Sequence, residues 1–394
     1  MAAQIPSFPS QTSSSICCRF RHAVIGSPEL WTKVELDATS ENSTNLSQIY
    51  LERSAAREIW VTLRAPGRST EILTGGLPLL TLYDIRISRV TVAADDINDL
   101  DQMLGPFRNV AVPRLQHFEV VTRPNNFDDP YRLPDDLFSL GAAKIYSLSM
   151  SYCFTGAQPR PWMNSITHVQ FKNAASLGNG RSQIFTEITN QLTSLTHLSL
   201  DLSGISAAAG TGISSRCLTH IQLHHCGDDD RALLDVLSCF DTPALSDLTL
   251  YDCHGDQISV LFNSQLSFPE LKSLLFINKR PETVQCKGDP SICEDYQTIA
   301  SPLHTFPLLS SWSLINQCFT ARMLAETLGR NSRPWPLLRT ITVWPLGLDV
   351  DDVYDALRGI VQWKRENQEA VAKLRLSQSL FSAECWAWSR CGTG

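Results

Sequence analysis

"LTHIQLHHCGDDD", residues 218–230, sets three histidines, a cysteine and three aspartates within thirteen residues. These are the residue types of a metal or acid–base site. Its first six residues are also the clearest copy of a pattern, L-x-x-L-x-L, that recurs along the chain. Close copies are "LTHLSL" (195), "ITHVQF" (166), "LSDLTL" (245) and "LKSLLF" (271). Looser ones are "LYDIRI" (82), "LQHFEV" (115), "IYSLSM" (145), "LSSWSL" (309), "LRTITV" (338) and "VAKLRL" (371). Together they make eleven copies between 82 and 371, about 29 residues apart on average.

That spacing falls at the upper end of the leucine-rich-repeat range. Apolar residues at positions one, four and six turn into a core that a single copy cannot close alone. In a short strand, positions three, five and seven face the other way. Five copies carry a proline two places before the first apolar residue, at Pro113, Pro243, Pro269, Pro307 and Pro336, which is read as the start of a strand. Between strands, residues 95–107, 228–240 and 349–371 carry apolar residues at helical spacing. The expectation is an α/β leucine-rich-repeat solenoid, with a curved parallel inner sheet and outer helices. The polar stretches 122–136 and 277–306 are expected to protrude from it.

The histidine-rich stretch can then be taken apart. Cys226 follows the last apolar strand position by three residues, as Cys153 and Cys253 do in their copies, with Cys318 one residue further along. A small side chain there closes the turn after a strand. Asp228, Asp229 and Asp230 precede a helix-like segment, as do Asp95, Asp96, Asp349, Asp351 and Asp352, and are read as helix caps. His225 is read as a turn residue. His168, His197 and His220 hold position three in successive copies, with His117 in an earlier one and His224 at position seven. Parallel strands about 4.8 Å apart would stack the first three rings as a ladder. Such a ladder could hold a metal or respond to pH. Alternatively, Thr-His is only the preferred filler of the pattern.

Composition bounds the rest. Hydrophobic residues make up 43% of 394 and charged residues 19%, as in ordinary folded proteins. A net charge of −7 argues against nucleic acid as the partner of the whole surface. No apolar run approaches the roughly 18 residues needed to cross a bilayer, and "MAAQIPSFPSQTSSS" lacks the apolar core of a signal peptide. Twelve cysteines in a long chain without an export signal read as reduced thiols of the cytoplasm or nucleus, with the sequons at Asn42 and Asn45 unused. Cys286 and Cys293 lack a second ligand pair, so no zinc is expected. Phosphate-loop, dinucleotide and nucleophile-elbow motifs are absent, and neither a cofactor nor catalytic residues are expected.

Upstream, "SICCRFRHAVIGSPELWTKVEL" (15–36) resembles the C-terminal half of an F-box, as found in fungal F-box-like leucine-rich-repeat proteins. Ile16, Cys17, Phe20, Arg21, Pro28, Leu30 and Trp31 match V-C-x-x-W-R-x-x-A-x-x-x-P-x-L-W, with Phe20 in place of tryptophan and Val24 in place of alanine. "LSQIYLERSAAREIWVTL" (46–63) resembles a second recurring stretch of the same families, with Glu58 where a proline is usual. The resemblance implies a non-enzymatic substrate receptor of a cullin–RING ubiquitin ligase. The seven matched residues would touch a Skp-type adaptor, and the repeat face would hold an unidentified protein substrate. The L-P-x-E opening of an F-box is not found before residue 15, so an N-terminally truncated box is expected. The expected organisation is a leader (1–14), the box remnant (15–36), a connecting segment with the first strand (37–78) and the repeat domain (79–394). The expected concave binding face comprises His168, Gln170, His197, Asp201, His220, Gln222, His224, Asp247, Tyr251 and Trp344. An adaptor-independent scaffold using the same face is the next reading, and a metal-dependent enzyme centred on the histidines is the third.

Overall fold

A computed structural model describes residues 18–38, 40, 42–65, 77–122, 131–142, 144–155, 160–172, 191–201, 213–224, 232–238, 240–253, 261, 266–277, 306–317, 337–345, 358, 362 and 373–376. The chain divides into two compact units, Met1–Lys172 with Gln191–Ser194, and Asn173–Asn190 with Leu195–Gly394. The architecture is α/β: each unit is built on a parallel sheet, and helices are few among the described residues.

In the first unit the sheet strands are β1 (Lys33–Asp37), β2 (Ile59–Ala65), β3 (Ile87–Ala94), β4 (His117–Thr122), β6 (Ser147–Ser151) and β8 (His168–Lys172), side by side in that order. The short pair β5 (Tyr131–Arg132) and β7 (Cys153–Phe154) lies apart from them. Helices α1 (Cys18–Ile25), α2 (Ser43–Arg53), α3 (Leu77–Thr81) and α4 (Ile97–Leu104) fall between strands or before them. In the second unit the order is β9 (His197–Asp201), β11 (His220–His224), β13 (Asp247–Tyr251), β14 (Ser273–Ile277), β15 (Ser311–Gln317), β16 (Thr340–Pro345) and β17 (Lys373–Leu376). A second small pair joins β10 (Ile213–Ser214) to β12 (Phe240–Asp241), beside helix α5 (Ala232–Ser238).

Ten copies of the sequence pattern, from 115 to 371, begin their strand at the third residue. Register follows: His220 faces His197 on one side and Asp247 on the other, and Ser273, Ser311 and Thr340 continue the row. Positions one, four and six bury, as Leu218, Ile221 and Leu223 do. Two backbone contacts lock the register. The second-residue carbonyl of one strand accepts the second and third N–H groups of the next, as Thr219 O does from Ser246 and Asp247 at 2.9 and 3.0 Å. The same carbonyl also accepts the Ser246 hydroxyl at 3.2 Å.

The copy at 82 is displaced. "LYDIRI" was expected to be a strand, but Asp84–Arg86 is a 3-10 turn, and Leu82 and Ile85 are 72% and 61% exposed. The strand is "ISRVTV", with Arg89, Val90 and Val92 opposite His117, Phe118 and Val120. It wins because Ile87, Val90 and Val92 place β-branched side chains in the core, which a pleated surface favours. Two further strands lie upstream. The first is Lys33–Asp37, within the expected box remnant, so segment 37–78 carries the second strand, not the first.

Three other expectations change. Four of the prolines do not begin strands, and Pro336 lies outside the described residues: the Leu115, Leu245, Leu271 and Leu309 N–H groups close turns onto residues 112, 242, 268 and 306, with proline second in the turn. Its fixed φ suits that position. The stretch 122–136 is not wholly a protruding insert. Tyr131 pairs in β5, Leu133 is buried, and the buried Arg160 donates to Leu133 O and Asp135 Oδ1 at 3.0 and 3.1 Å. Of Asp95 and Asp96, Asp96 caps α4, accepting the Asn98 N–H at 2.7 Å. Residues 225–230, Cys318 and 349–352, with the other expected caps and turn cysteines, lie outside the described residues, as do 278–305 with Cys286 and Cys293.

Cys253 occupies the expected turn, whereas Cys153, at the same offset, opens the short strand β7. Each is buried and follows a residue at positive φ, Tyr152 (53°) and Asp252 (55°). Burial pushes the Cys153 thiol up to about 12, so it is a packed thiol and not a nucleophile. In the first unit, Phe138 joins Phe107, Phe118 of β4 and Trp162 edge to face, at centroid distances of 6.0, 5.0 and 5.9 Å.

Helix α2 covers the free edge of β1. Ser43 Oγ accepts the Asp37 N–H at 2.7 Å and Ser47 Oγ donates to Glu35 O at 2.9 Å, occupying backbone groups that point away from β2.

The displaced copy gives a direct test. Leu115→Ala should cost about 2–5 kcal/mol, the range for truncating a buried leucine. Leu82→Ala, at the same place in the sequence pattern, should stay within about 0.5 kcal/mol. Urea unfolding of the two variants measures both.

Candidate binding surface

In each unit one sheet face is buried and the other carries positions three, five and seven, half-exposed or exposed except at the buried Ser151. Alternation alone sends these side chains to one side. Each unit presents its own set.

In the second unit the rings pair by two. His197 and His220 stack at 4.1 Å with their planes 10° apart, and His224 stacks on Tyr251 with the same geometry. His224 Nε2 also lies 3.2 Å from Ser199 Oγ. His220 Nε2 is 3.2 Å from Asp247 Oδ2, an oxygen that also accepts from Ser246 Oγ. Gln222 is exposed between Ser199 and Thr249 in the register, and Asp201 sits opposite His224. Trp344 pairs with Ile315 along the backbone of β16, and its side chain lies outside the described residues.

His168 belongs to the first unit, where Tyr146 sits 6.1 Å from it and 4.7 Å from His117, edge to face in both cases. The His197–His220 step of the expected ladder is a stacked pair, and in the first unit His117, Tyr146 and His168 form a group of rings. The Thr-His dipeptide has a structural cause. Thr167, Thr196 and Thr219 each place Oγ1 2.8 Å from Nδ1 of the following histidine. Thr167 and Thr219 also donate to the second-residue carbonyl of the preceding strand, at 3.3 and 3.2 Å. The threonine thus ties the ring to the register. Among the described residues, no three His, Cys, Asp or Glu side chains meet as a metal site would need.

The first unit holds functional-type residues that the sequence pattern did not flag. Glu119, on β4, accepts from Lys172 Nζ at 2.8 Å and lies 3.7 Å from Arg89 Nη2. Ser149 Oγ stands 3.4 Å from Glu119 and 3.5 Å from Gln170 Oε1. Burial raises the Glu119 pKa, but the bond from Lys172 and the charges of Lys172 and Arg89 outweigh it and hold the carboxyl below its ordinary range. Burial lowers the His117 pKa, helped by Arg89 and His168, so a neutral imidazole meets Tyr146 Oη at 2.7 Å. Trp60, 45% exposed on β2, has Lys33 Nζ 5.2 Å and Arg89 Cζ 5.8 Å from its ring centre. Trp60 could have been found from the two-residue alternation in "IWVTLRA" (59–65), and Glu119, Ser149 and Lys172 from their places at position five or seven of the copies at 115, 145 and 166.

The box-like segment is part helix and part core. Phe20 and Leu30 are exposed, at 44% and 52%, as are Ile25 and Arg21, and Pro28 is half-buried. Trp31 is buried: Nε1 donates to Val24 O at 2.9 Å, Tyr50 meets its ring at 4.9 Å, and Arg53 Cζ stands 4.6 Å from the ring centre. Trp31 is therefore a core anchor and not the surface contact expected of it. Its partners come from α2, so the two stretches that suggested the family resemblance touch each other. Ile16 and Cys17 lie outside the described residues. No helix among the described residues is long and apolar enough to cross a membrane. No protein-family model matches the chain, and no curated protein shows significant similarity to it.

Because its pKa is depressed in the fold, Glu119 adds stability that is present above its unfolded pKa and is lost as pH falls through the folded one. Glu119→Gln should cost about 1 kcal/mol at pH 7. The gap to wild type should close as pH drops below about 4. Urea unfolding at a series of pH values checks the sign.

Proposed function

We propose that this chain is a leucine-rich-repeat substrate-recognition subunit of an F-box type cullin–RING ubiquitin ligase. It would be non-enzymatic, work in the cytoplasm or nucleus, and hold its protein target on the half-exposed sheet face. One observation carries the reading: the same register that buries positions one, four and six aims positions three, five and seven outward, strand after strand. A row of polar and aromatic side chains on a rigid sheet suits protein recognition, because rigid aromatic anchors lose little entropy on binding. The docking element for a Skp-type adaptor would be α1 with the Pro28–Trp31 turn, where Phe20, Ile25 and Leu30 expose apolar surface.

A second reading, an adaptor-independent protein-binding scaffold, is favoured by the placement of Trp31. A tryptophan bonded to Val24 O and packed by Tyr50 and Arg53 has a structural use that needs no adaptor. Co-expression with a Skp-type adaptor separates the two. The ligase reading expects a stable complex that survives gel filtration and is lost in Phe20→Asp with Leu30→Asp, while the urea midpoint is kept. No adaptor retention by the chain, even with an L-P-x-E segment joined upstream, would overturn it in favour of the scaffold.

A further inference from the structure

The third-position row of the first unit runs Lys33, Trp60, Arg89, His117, Ser147, His168 on adjacent strands. This row contains lysine, arginine, histidine and tryptophan but no carboxylate. The nearest acids lie two residues further along their strands and are engaged: Glu35 with Arg64 at 3.1 Å, and Glu119 with Lys172 and Arg89. The third-position row of the second unit differs in kind. It reads His197, His220, Asp247, Ser273, Ser311 and Thr340, without a lysine or arginine before β17. In a chain of net charge −7, a row of cations around an exposed indole is a local feature and not background.

We infer that this row docks an acidic, extended segment of a protein partner, its carboxylates pairing with Lys33 and Arg89 and an apolar side chain covering Trp60. The inference rests on the protein-binding reading above and specifies the chemistry of the target. Lys33 is exposed and, among the described residues, forms no ion pair. Arg89 keeps 43% of its side chain exposed and shares Glu119 with Lys172 over a long 3.7 Å contact, leaving guanidinium donors for a ligand. Arginine forks favour carboxylates, and desolvating the pair under an apolar cover strengthens it. Trp60 supplies the apolar anchor, and tryptophan and arginine are the residue types that dominate binding energy in protein interfaces.

Spacing narrows the ligand further. Lys33 and Arg89 stand on strands either side of β2, hence about 10 Å apart along the row at about 4.8 Å per strand. About three residues of extended chain, at about 3.3 Å each, span that distance. The matching segment therefore has acidic residues three positions apart with an apolar, preferably aromatic, residue beside them. Tyr146, 37% exposed, precedes the row's Ser147 and sets its ring beside both His117 and His168, extending the apolar footing toward a third contact.

The test uses the full chain and an array of seven-residue peptides that vary acidic, neutral, basic and apolar positions, followed by anisotropy titration of the best fluorescein-labelled acidic peptide. Preference for acidic peptides with an aromatic residue is expected. Arg89→Glu and Trp60→Ala should each weaken binding about tenfold or more. Arg89→Lys should lose less, and Leu82→Ala, exposed just before the Asp84–Arg86 turn and outside the row, should change nothing. Unchanged far-UV circular dichroism and urea midpoints show that the variants fold. An array without acidic preference, an affinity within twofold of wild type in Arg89→Glu, or a preference for inorganic polyphosphate over every peptide overturns the inference. Adaptor retention distinguishes the two readings. An adaptor complex without acidic preference leaves the ligase reading standing and removes this one; acidic preference without adaptor retention does the reverse.

Discussion

The carbonyl of the second pattern residue is the point on which the rest of the structure depends. Tyr146 O, Thr196 O, Thr219 O, Ser246 O, Lys272 O and Ser310 O each accept two successive N–H groups from the following strand. Shifting any strand by one residue breaks that double bond and moves leucines to solvent and polar residues into the core, because side chains alternate with period two. Hydroxyls at the same position, on Thr167, Thr219, Ser246 and Ser310, add a third donor to the carbonyl. The strand start thus carries its own lock on the register. Core packing then reinforces it through rows such as Leu198–Ile221–Leu248–Leu274–Trp312–Ile341, each 1% exposed or less.

The same bond explains the histidines that first suggested a metal site. A threonine needed to reach the preceding carbonyl also stands 2.8 Å from the next residue's ring nitrogen, and so holds an imidazole upright on the open face. The threonine therefore follows from the backbone, while the residue after the hydroxyl varies, Asp247 following Ser246 and Ser311 following Ser310. What each ring then meets depends on its neighbouring strand: histidine for His197, Asp247 for His220, Tyr251 for His224, Tyr146 for His168. Recognition on such a face is written in the differences between strands, which is why the two units present different chemistry from one scaffold.

How much of this was legible in the sequence varies with how tightly each feature is coupled to the leucine pattern. The strands from 115 onward were readable because three apolar positions per copy leave one register. The buried cysteines were readable for the same reason, since Cys153 and Cys253 sit at a fixed offset from it. The copy at 82 was misread because "LYDIRI" and "ISRVTV" overlap by one residue, and spacing alone cannot choose between them. Lys33, Trp60 and Arg89 escaped because the first pattern position before them holds Trp31, Glu58 and Ile87 in place of leucine, and their row exists only once the strands are paired. The burial of Trp31 was equally hidden, since its partners Tyr50 and Arg53 lie on a helix that the motif does not mention.

Hydroxyl-radical footprinting of the intact protein, read by mass spectrometry, tests the register most directly, because a one-residue slip exchanges the two faces. The account predicts rapid oxidation of Trp60 and Tyr146, with Trp31, Phe118, Trp162 and Trp312 protected, in line with 45% and 37% exposure against 4% or less. Protection of Trp60 together with labelling of Phe118 or Trp312 would contradict it.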